Sequence, residues 1–305
     1  MSGLPNLVNA GVTKAGTTSL FGYLAQHPDI CAADEKDVNY FTPLRFGDPP
    51  ERSLDEYAAH FSHCTGQRYR LDASPDYFTG GPPLVEALDR ALPDARVIIV
   101  LRDPVARLWS SYTFKRARGV LPEGSTFRSV FEADLEARRT GADRTRAGEH
   151  HRTLSTGFYL ENLRPWVDLL GDRLAVVFLE QLAADPVGRM RHVFDWLGID
   201  SGVADRLEYS VRNPTVHARS QGLRRVAETV NRRFDAFFRR LPRLERGLRS
   251  LYTRVNAGDL GERFTEEDRD LVTRLYGPAT AALADYLRDH GYDDLPRWLE
   301  DAAGG

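Results

Sequence analysis

Asn6–Leu20 reads NLVNAGVTKAGTTSL: an apolar run, then Gly11 and Gly16 with four residues between them, then Thr17 and Thr18 opening a helical pattern. A strand, a glycine loop and a helix start in this order form a phosphate cradle. The glycines let the backbone approach an anion, and the free N–H groups of the helix N-terminus, helped by its dipole, point at the anion's oxygens. The spacing is Walker-like, but Thr17 occupies the slot after the second glycine and the lysine has moved back to Lys14. On this segment alone, an ordinary strand-to-helix turn is the alternative reading.

Outward from the loop, Leu7–Ala10 reads as a buried strand and Thr17–Gln26 as its helix, stopped by His27-Pro28-Asp29. Arg68–Asp72 reads as a second strand and Leu84–Leu92 as a helix. Arg96–Leu101 (RVIIVL) is apolar after its first residue and rich in β-branched residues, as a central parallel strand covered on both faces requires. Asp103 then stands as an N-cap and Pro104 as the first residue of a helix bearing Val105, Leu108, Trp109 and Tyr112. Leu174–Leu179 is a further buried strand. This alternation predicts an α/β three-layer sandwich with a central, mainly parallel sheet. A single domain over residues 1–305 is expected, with the stretches 120–156 and 201–275 mostly helix and loop around the cleft.

The 305 residues suffice for a substantial core, and a formal charge of -3 argues against a general nucleic-acid binder. Cys31 and Cys64 make no disulfide framework and no zinc pattern, and are expected to be ordinary thiols in a reducing compartment. With no transmembrane-length run and no signal-peptide order, the expectation is a cytoplasmic protein without stable membrane insertion. The only lysines are Lys14, Lys36 and Lys115, against an arginine-heavy background. A lysine kept inside the loop suits a compact point charge.

Ligands of open α/β sheets bind at the carboxyl ends of the strands. That rule places Arg102, at the end of the strand from Arg96, on the same rim as the glycine loop, with Ser110 on the helix that follows. Two anion sites imply a ligand with phosphates at both ends. A P-loop kinase reading lacks its lysine slot and meets Arg102 where a magnesium-binding acid belongs. A sulfuryl group, which carries less charge than a phosphoryl group, needs less help from a metal.

Two blocks, Gly11–Ile30 (GVTKAGTTSLFGYLAQHPDI) and Val97–Tyr112 (VIIVLRDPVARLWSSY), resemble the phosphosulfate loop and the 3′-phosphate motif of sulfotransferases that use 3′-phosphoadenosine 5′-phosphosulfate (PAPS), in particular bacterial members similar to the heparan sulfate enzymes. Weaker similarity extends over Phe178–Pro186 and Tyr292–Leu299. The resemblance implies that Lys14 contacts the bridging oxygen and the sulfuryl group. It assigns the 5′-phosphate to Ala15, Gly16, Thr17, Thr18 and Ser19, and the 3′-phosphate to Arg102 and Ser110. Arg219 and Ser220, in Asn213–Arg225, match a loop that closes over the nucleotide. PAPS is then the donor, 3′-phosphoadenosine 5′-phosphate (PAP) the product, and no metal is required.

The acceptor side follows from Glu35–Phe41 (EKDVNYF), where the family carries an acid and two aromatic residues. Asp37 matches the general base that accepts the proton of the acceptor hydroxyl, with Glu35 and His63 as rival bases. Some relatives have a histidine two residues after the acid, where this chain has Asn39. Lys36, Asp72 and Tyr77 are expected to line the acceptor cleft. The acceptor is a small molecule, natural product or carbohydrate, reached through a hydroxyl before an amine. A kinase and a non-catalytic nucleotide-binding module remain as rivals.

Overall fold

The computed structural model describes residues 3–209 and 262–303. Five strands form one sheet in the order β2-β3-β1-β4-β5: β1 (Leu7–Gly11), β2 (Ile30–Ala32), β3 (Tyr69–Ala73), β4 (Arg96–Leu101) and β5 (Leu174–Phe178). Every neighbouring pair is parallel. The carboxyl ends of all five strands therefore lie on one rim, as the alternating sequence pattern predicts. β1 is buried throughout and β4 everywhere except its first residue, which is why their apolar runs show no polar alternation.

The helices are α1 (Thr17–Leu24), α2 (Leu54–Ala59), α3 (Gly81–Ala91), α4 (Pro104–Ala117), α5 (Phe127–Thr140), α6 (Arg152–Ser155), α7 (Tyr159–Leu170), α8 (Leu179–Ala184), α9 (Pro186–Leu197), α10 (Glu266–Asp289) and α11 (Arg297–Ala303). α4 starts as expected: Asp103 Oδ1 accepts the Val105 N–H at 2.9 Å, and Pro104 opens the helix. α3 begins three residues before the expected Leu84. Its prolines fall in the first turn, where N–H groups have no intrahelical partner. The edge strand β2, three residues long, is too short to give a periodic signal.

His27 is buried where the sequence places a helix stop. Its Nδ1 accepts the Asp29 N–H at 3.0 Å, and its Nε2 lies 3.0 Å from the Asp200 carbonyl. The expectation of two ordinary thiols is corrected. Cys31 on β2 and Cys64 beyond α2 form a disulfide, so the cysteines give no support to a reducing compartment. The two lie 33 positions apart, and sequence distance hides the approach that the sheet edge creates.

One apolar core fills both faces of the sheet. A second cluster joins Val105, Leu108 and Tyr112 of α4 to Phe127 and Phe131 of α5 and to Val272 and Tyr276 of α10. Helices and turns make up most of the 120–156 stretch. Three contacts tie it to the chain after β2 and β3: Arg45 Nη1 to Glu149 Oε1 at 3.1 Å, Arg146 Nη2 to Asp48 Oδ2 at 2.5 Å and Arg152 Nη1 to Thr79 Oγ1 at 3.3 Å. Among the described residues, no helix is long and apolar enough to cross a membrane. Arg219, Ser220 and the arginine-rich stretch 232–254 lie outside the described residues.

Candidate active site

The glycine loop lies where β1 hands over to α1. Gly16 takes a left-handed conformation at φ 87°, which favours glycine, and a Cβ there would also have to displace the Leu179 Cδ1 methyl, 2.6 Å away. A Cβ on Gly11 would meet Cβ of Phe78 at 2.5 Å. Gly16, the N-cap residue, gives α1 no side-chain cap. The first helical hydrogen bonds run from Ser19 and Leu20 to the Gly16 carbonyl, so the preceding N–H groups face the loop without helical partners. Asn9 Nδ2 donates to the Thr17 carbonyl at 3.2 Å and fixes the helix start against β1.

Lys14 is itself left-handed at φ 69°. Its carbonyl accepts from Arg102 Nη1 at 3.1 Å, which couples the loop to the end of β4. The Arg102 backbone is held from the other side, its carbonyl accepting the Tyr159 hydroxyl at 2.7 Å. Glu180, just after β5, accepts the Asp103 N–H at 2.9 Å and the Trp298 Nε1–H at 3.2 Å, so it buttresses the rim. Lys14 Nζ rests 3.9 Å from the centroid of the Phe114 ring, and the Arg118 guanidinium carbon lies 4.4 Å from the same centroid.

Among the described residues, no carboxylate pairs with Lys14, Arg102 or Arg118. Burial first, then the charges of Arg102 and Arg118, bring the Lys14 pKa down to about 8. Three cations without an acid, beside an uncapped helix N-terminus, make a site for a multiply charged anion. Ser110 is half-buried on α4, one turn before Phe114.

The acceptor loop follows β2 on the same rim. Asp37 and Asn39 both adopt left-handed backbone, at φ 64° and 56°. The Asp37 carboxylate stays exposed and pairs with Lys36 Nζ at 2.6 Å. Asn39 turns its side chain back, with Nδ2 donating to the Asp37 carbonyl at 2.9 Å. Glu35 is exposed on the same loop, whereas His63 Nε2 lies 3.1 Å from the Ala32 carbonyl and 3.4 Å from Cys31 Sγ.

Asp72 and Tyr77 require a correction. Both are fully buried, so neither lines the cleft with an exposed group. Instead Asp72 is a hub that accepts the hydroxyls of Tyr57 at 2.7 Å, Ser74 at 2.7 Å and Tyr77 at 3.1 Å. Two of those hydroxyls in turn accept loop amides, Ser74 that of Asn39 at 2.9 Å and Tyr77 that of Phe41 at 3.4 Å. The Asp37 N–H donates to the Ala73 carbonyl at 3.0 Å. Tyr40 stacks on Tyr57 with ring centroids 4.5 Å apart. Burial raises the Asp72 pKa against its three hydrogen bonds, and the Asp37 charge acts in the same direction as burial.

Four residues of this arrangement escape the sequence reading. Phe114 and Arg118 follow Ser110 at helical i+4 and i+8 positions, a spacing that was available to find them. Tyr57 and Arg45 carry no local signal, since their partners are distant in sequence. Among the described residues, the only close trio of metal-type side chains is Cys31, His63 and Cys64, whose two sulfurs are joined in the disulfide and offer no thiolate.

Residues 5–203 match the Sulfotransferase family. The chain is 29% identical over 210 residues to heparan sulfate glucosamine 3-O-sulfotransferase 3B1 of Mus musculus, a match spanning 68% of this chain and 49% of the relative. It is 25% identical over 320 residues to the bifunctional heparan sulfate N-deacetylase/N-sulfotransferase of Drosophila melanogaster, covering 98% of this chain and 27% of that protein. The chain thus spans about half, or less, of the length of these relatives. A sulfotransferase from Alicyclobacillus acidocaldarius has a similar structure, with a TM-score of 0.56 and 27% identity over 79% of this chain and 95% of that one. With the family match covering most of the chain and the loop, rim arginine and parallel sheet in place, this chain belongs to the sulfotransferase family.

Proposed function

We propose that this chain transfers the sulfuryl group of PAPS to a hydroxyl of a carbohydrate or small-molecule acceptor and releases PAP. The observation that carries this reading is the trio Lys14, Arg102 and Arg118, without acidic partners among the described residues, beside the uncapped start of α1 and on the same rim as the exposed Asp37 carboxylate. One end of the rim suits a polyanion, and the other suits proton removal.

In the proposed in-line displacement, the acceptor oxygen forms a bond to sulfur as the bond from sulfur to the 5′-phosphate oxygen breaks. Asp37 takes the hydroxyl proton, and the ammonium of Lys14 with the N–H groups of Gly16, Thr17 and Thr18 meets the charge that grows on the leaving phosphate, with Ala15 and Ser19 flanking them. Arg102 and Ser110 hold the 3′-phosphate, and Lys36, paired with Asp37, faces the acceptor. The names of the relatives favour a carbohydrate acceptor. Asn39, with its side chain folded back onto its own loop, sets this chain apart from relatives with a histidine there.

The test is sulfur-labelled PAPS offered with desulfated heparan oligosaccharides, simple sugars, phenols and aliphatic alcohols, in buffer containing a metal chelator. Labelled product and stoichiometric PAP support the reading. Consumption of ATP that depends on magnesium would point to the kinase, and PAP binding with no turnover on any acceptor to a binding module.

A further inference from the structure

Ser110, Phe114 and Arg118 recur every four residues from the middle of α4 to its C-cap and so form one stripe along the helix. The stripe faces the glycine loop, because Lys14 Nζ lies over its central residue at 3.9 Å from the ring centroid. Arg118, at the far end, lies over the same ring at 4.4 Å. Two cations near one aromatic ring repel each other, and the negative face of the ring offsets part of that cost. Neither has an acidic partner among the described residues, although Arg118 is solvent-exposed and Lys14 is half-buried. Such a pair is held ready for an anion that arrives later.

We propose that Arg118 is a further donor-binding residue, and that Phe114 is a positioning residue that holds Arg118 and Lys14 together at the transfer end of the nucleotide site. The proposal rests on the PAPS reading above. Arg102 acts on Lys14 from the end of β4 and Arg118 from the end of α4, while Ser110 begins the stripe on the 3′-phosphate side. The stripe therefore spans the donor from one phosphate to the other. A guanidinium adds donors in a planar fork that suits phosphate or sulfate oxygens, which the single ammonium of Lys14 cannot supply.

The experiment is titration calorimetry of the full chain with PAP, at several salt concentrations and from pH 6 to 10. Arg118→Gln, at an exposed position that does not threaten folding, is expected to weaken PAP about tenfold and to flatten the salt dependence. It should also move the alkaline loss of PAP affinity to higher pH, because a like charge beside Lys14 is gone. Phe114→Leu is expected to weaken PAP by threefold or more, and Phe114→Tyr, which keeps the aromatic face, to stay within twofold of wild type. If Arg118→Gln matches wild type in affinity, salt slope and alkaline limb, the donor-binding role is overturned. Equal losses in Phe114→Leu and Phe114→Tyr overturn the positioning role. A wild-type chain that binds no PAP at all would instead sink the donor reading itself, so the two failures are distinguishable.

Discussion

Ser74 Oγ accepts the Asn39 amide hydrogen at 2.9 Å while its own proton goes to Asp72 Oδ1 at 2.7 Å. A buried carboxylate thereby sets the direction of a hydroxyl, and the hydroxyl pins a left-handed turn that carries Asp37. The turn is strained for residues with a side chain and persists because its surroundings over-determine it.

Ser74→Ala leaves the Asn39 amide and an oxygen of Asp72 short of partners, at a cost of about 1–3 kcal/mol in stability. Turnover is expected to fall about tenfold while PAP affinity stays at wild type, since the glycine loop is untouched. Thermal unfolding, calorimetry with PAP and initial rates check this. Unchanged turnover in a destabilised variant would separate the hub from the chemistry.

Asp37→Asn keeps the size of the side chain and removes its basicity, so the rate is expected to drop a hundredfold or more. Glu35→Gln, on the same exposed loop, is expected to remain near wild type. A reversal of these two results in single-turnover assays would move the base to Glu35.

Lys14 stabilises charge only when protonated, and its pKa lies at about 8. The active form is therefore complete well below pH 8 and is lost as pH rises through it, so kcat/KM for PAPS is expected to fall towards a tenfold drop per pH unit at high pH. Lys14→Arg stays charged throughout and is expected to be slower but flat over the same range. A rate profile from pH 6 to 10 reads both.

Asp134 on α5 is buried, and its pKa is raised to about 6 by desolvation, despite Lys115 and a hydrogen bond with His151. A carboxyl whose folded pKa lies above its unfolded value disfavours folding once ionised. It has little effect below about pH 3, where both states are protonated, and its full effect appears above pH 6. Asp134→Asn is therefore expected to raise stability at pH 7 by about 2–3 kcal/mol, since a tenfold change in proton affinity corresponds to roughly 1.4 kcal/mol. The gain should vanish near pH 3. Denaturant unfolding at both pH values measures it, and a destabilised variant at pH 7 would show that the hydrogen bond with His151 outweighs burial.

The disulfide between Cys31 and Cys64 closes a loop with a sequence separation of 33. Chain entropy alone assigns such a cross-link roughly 3–4 kcal/mol. Reduction, or Cys31→Ser with Cys64→Ser, is expected to lower the unfolding temperature clearly, and mass spectrometry of the alkylated native chain checks the pairing itself.

The short-range code of the chain determined the sheet, the loop and the rim. Buried parallel strands show as continuous apolar runs, the helix cap as Asp103-Pro104, and the cradle as glycines spaced around Lys14, because each rests on residues within a few positions of one another. Contacts between distant residues belong to the tertiary structure alone. Asp72 at the end of β3 supports a turn some thirty residues upstream, Arg45 meets Glu149 across the cleft edge, and β2 brings Cys31 to Cys64. Local sequence could place Asp72 on the rim but could not show that it faces inward. Burial of one residue depends on what the whole fold packs against it.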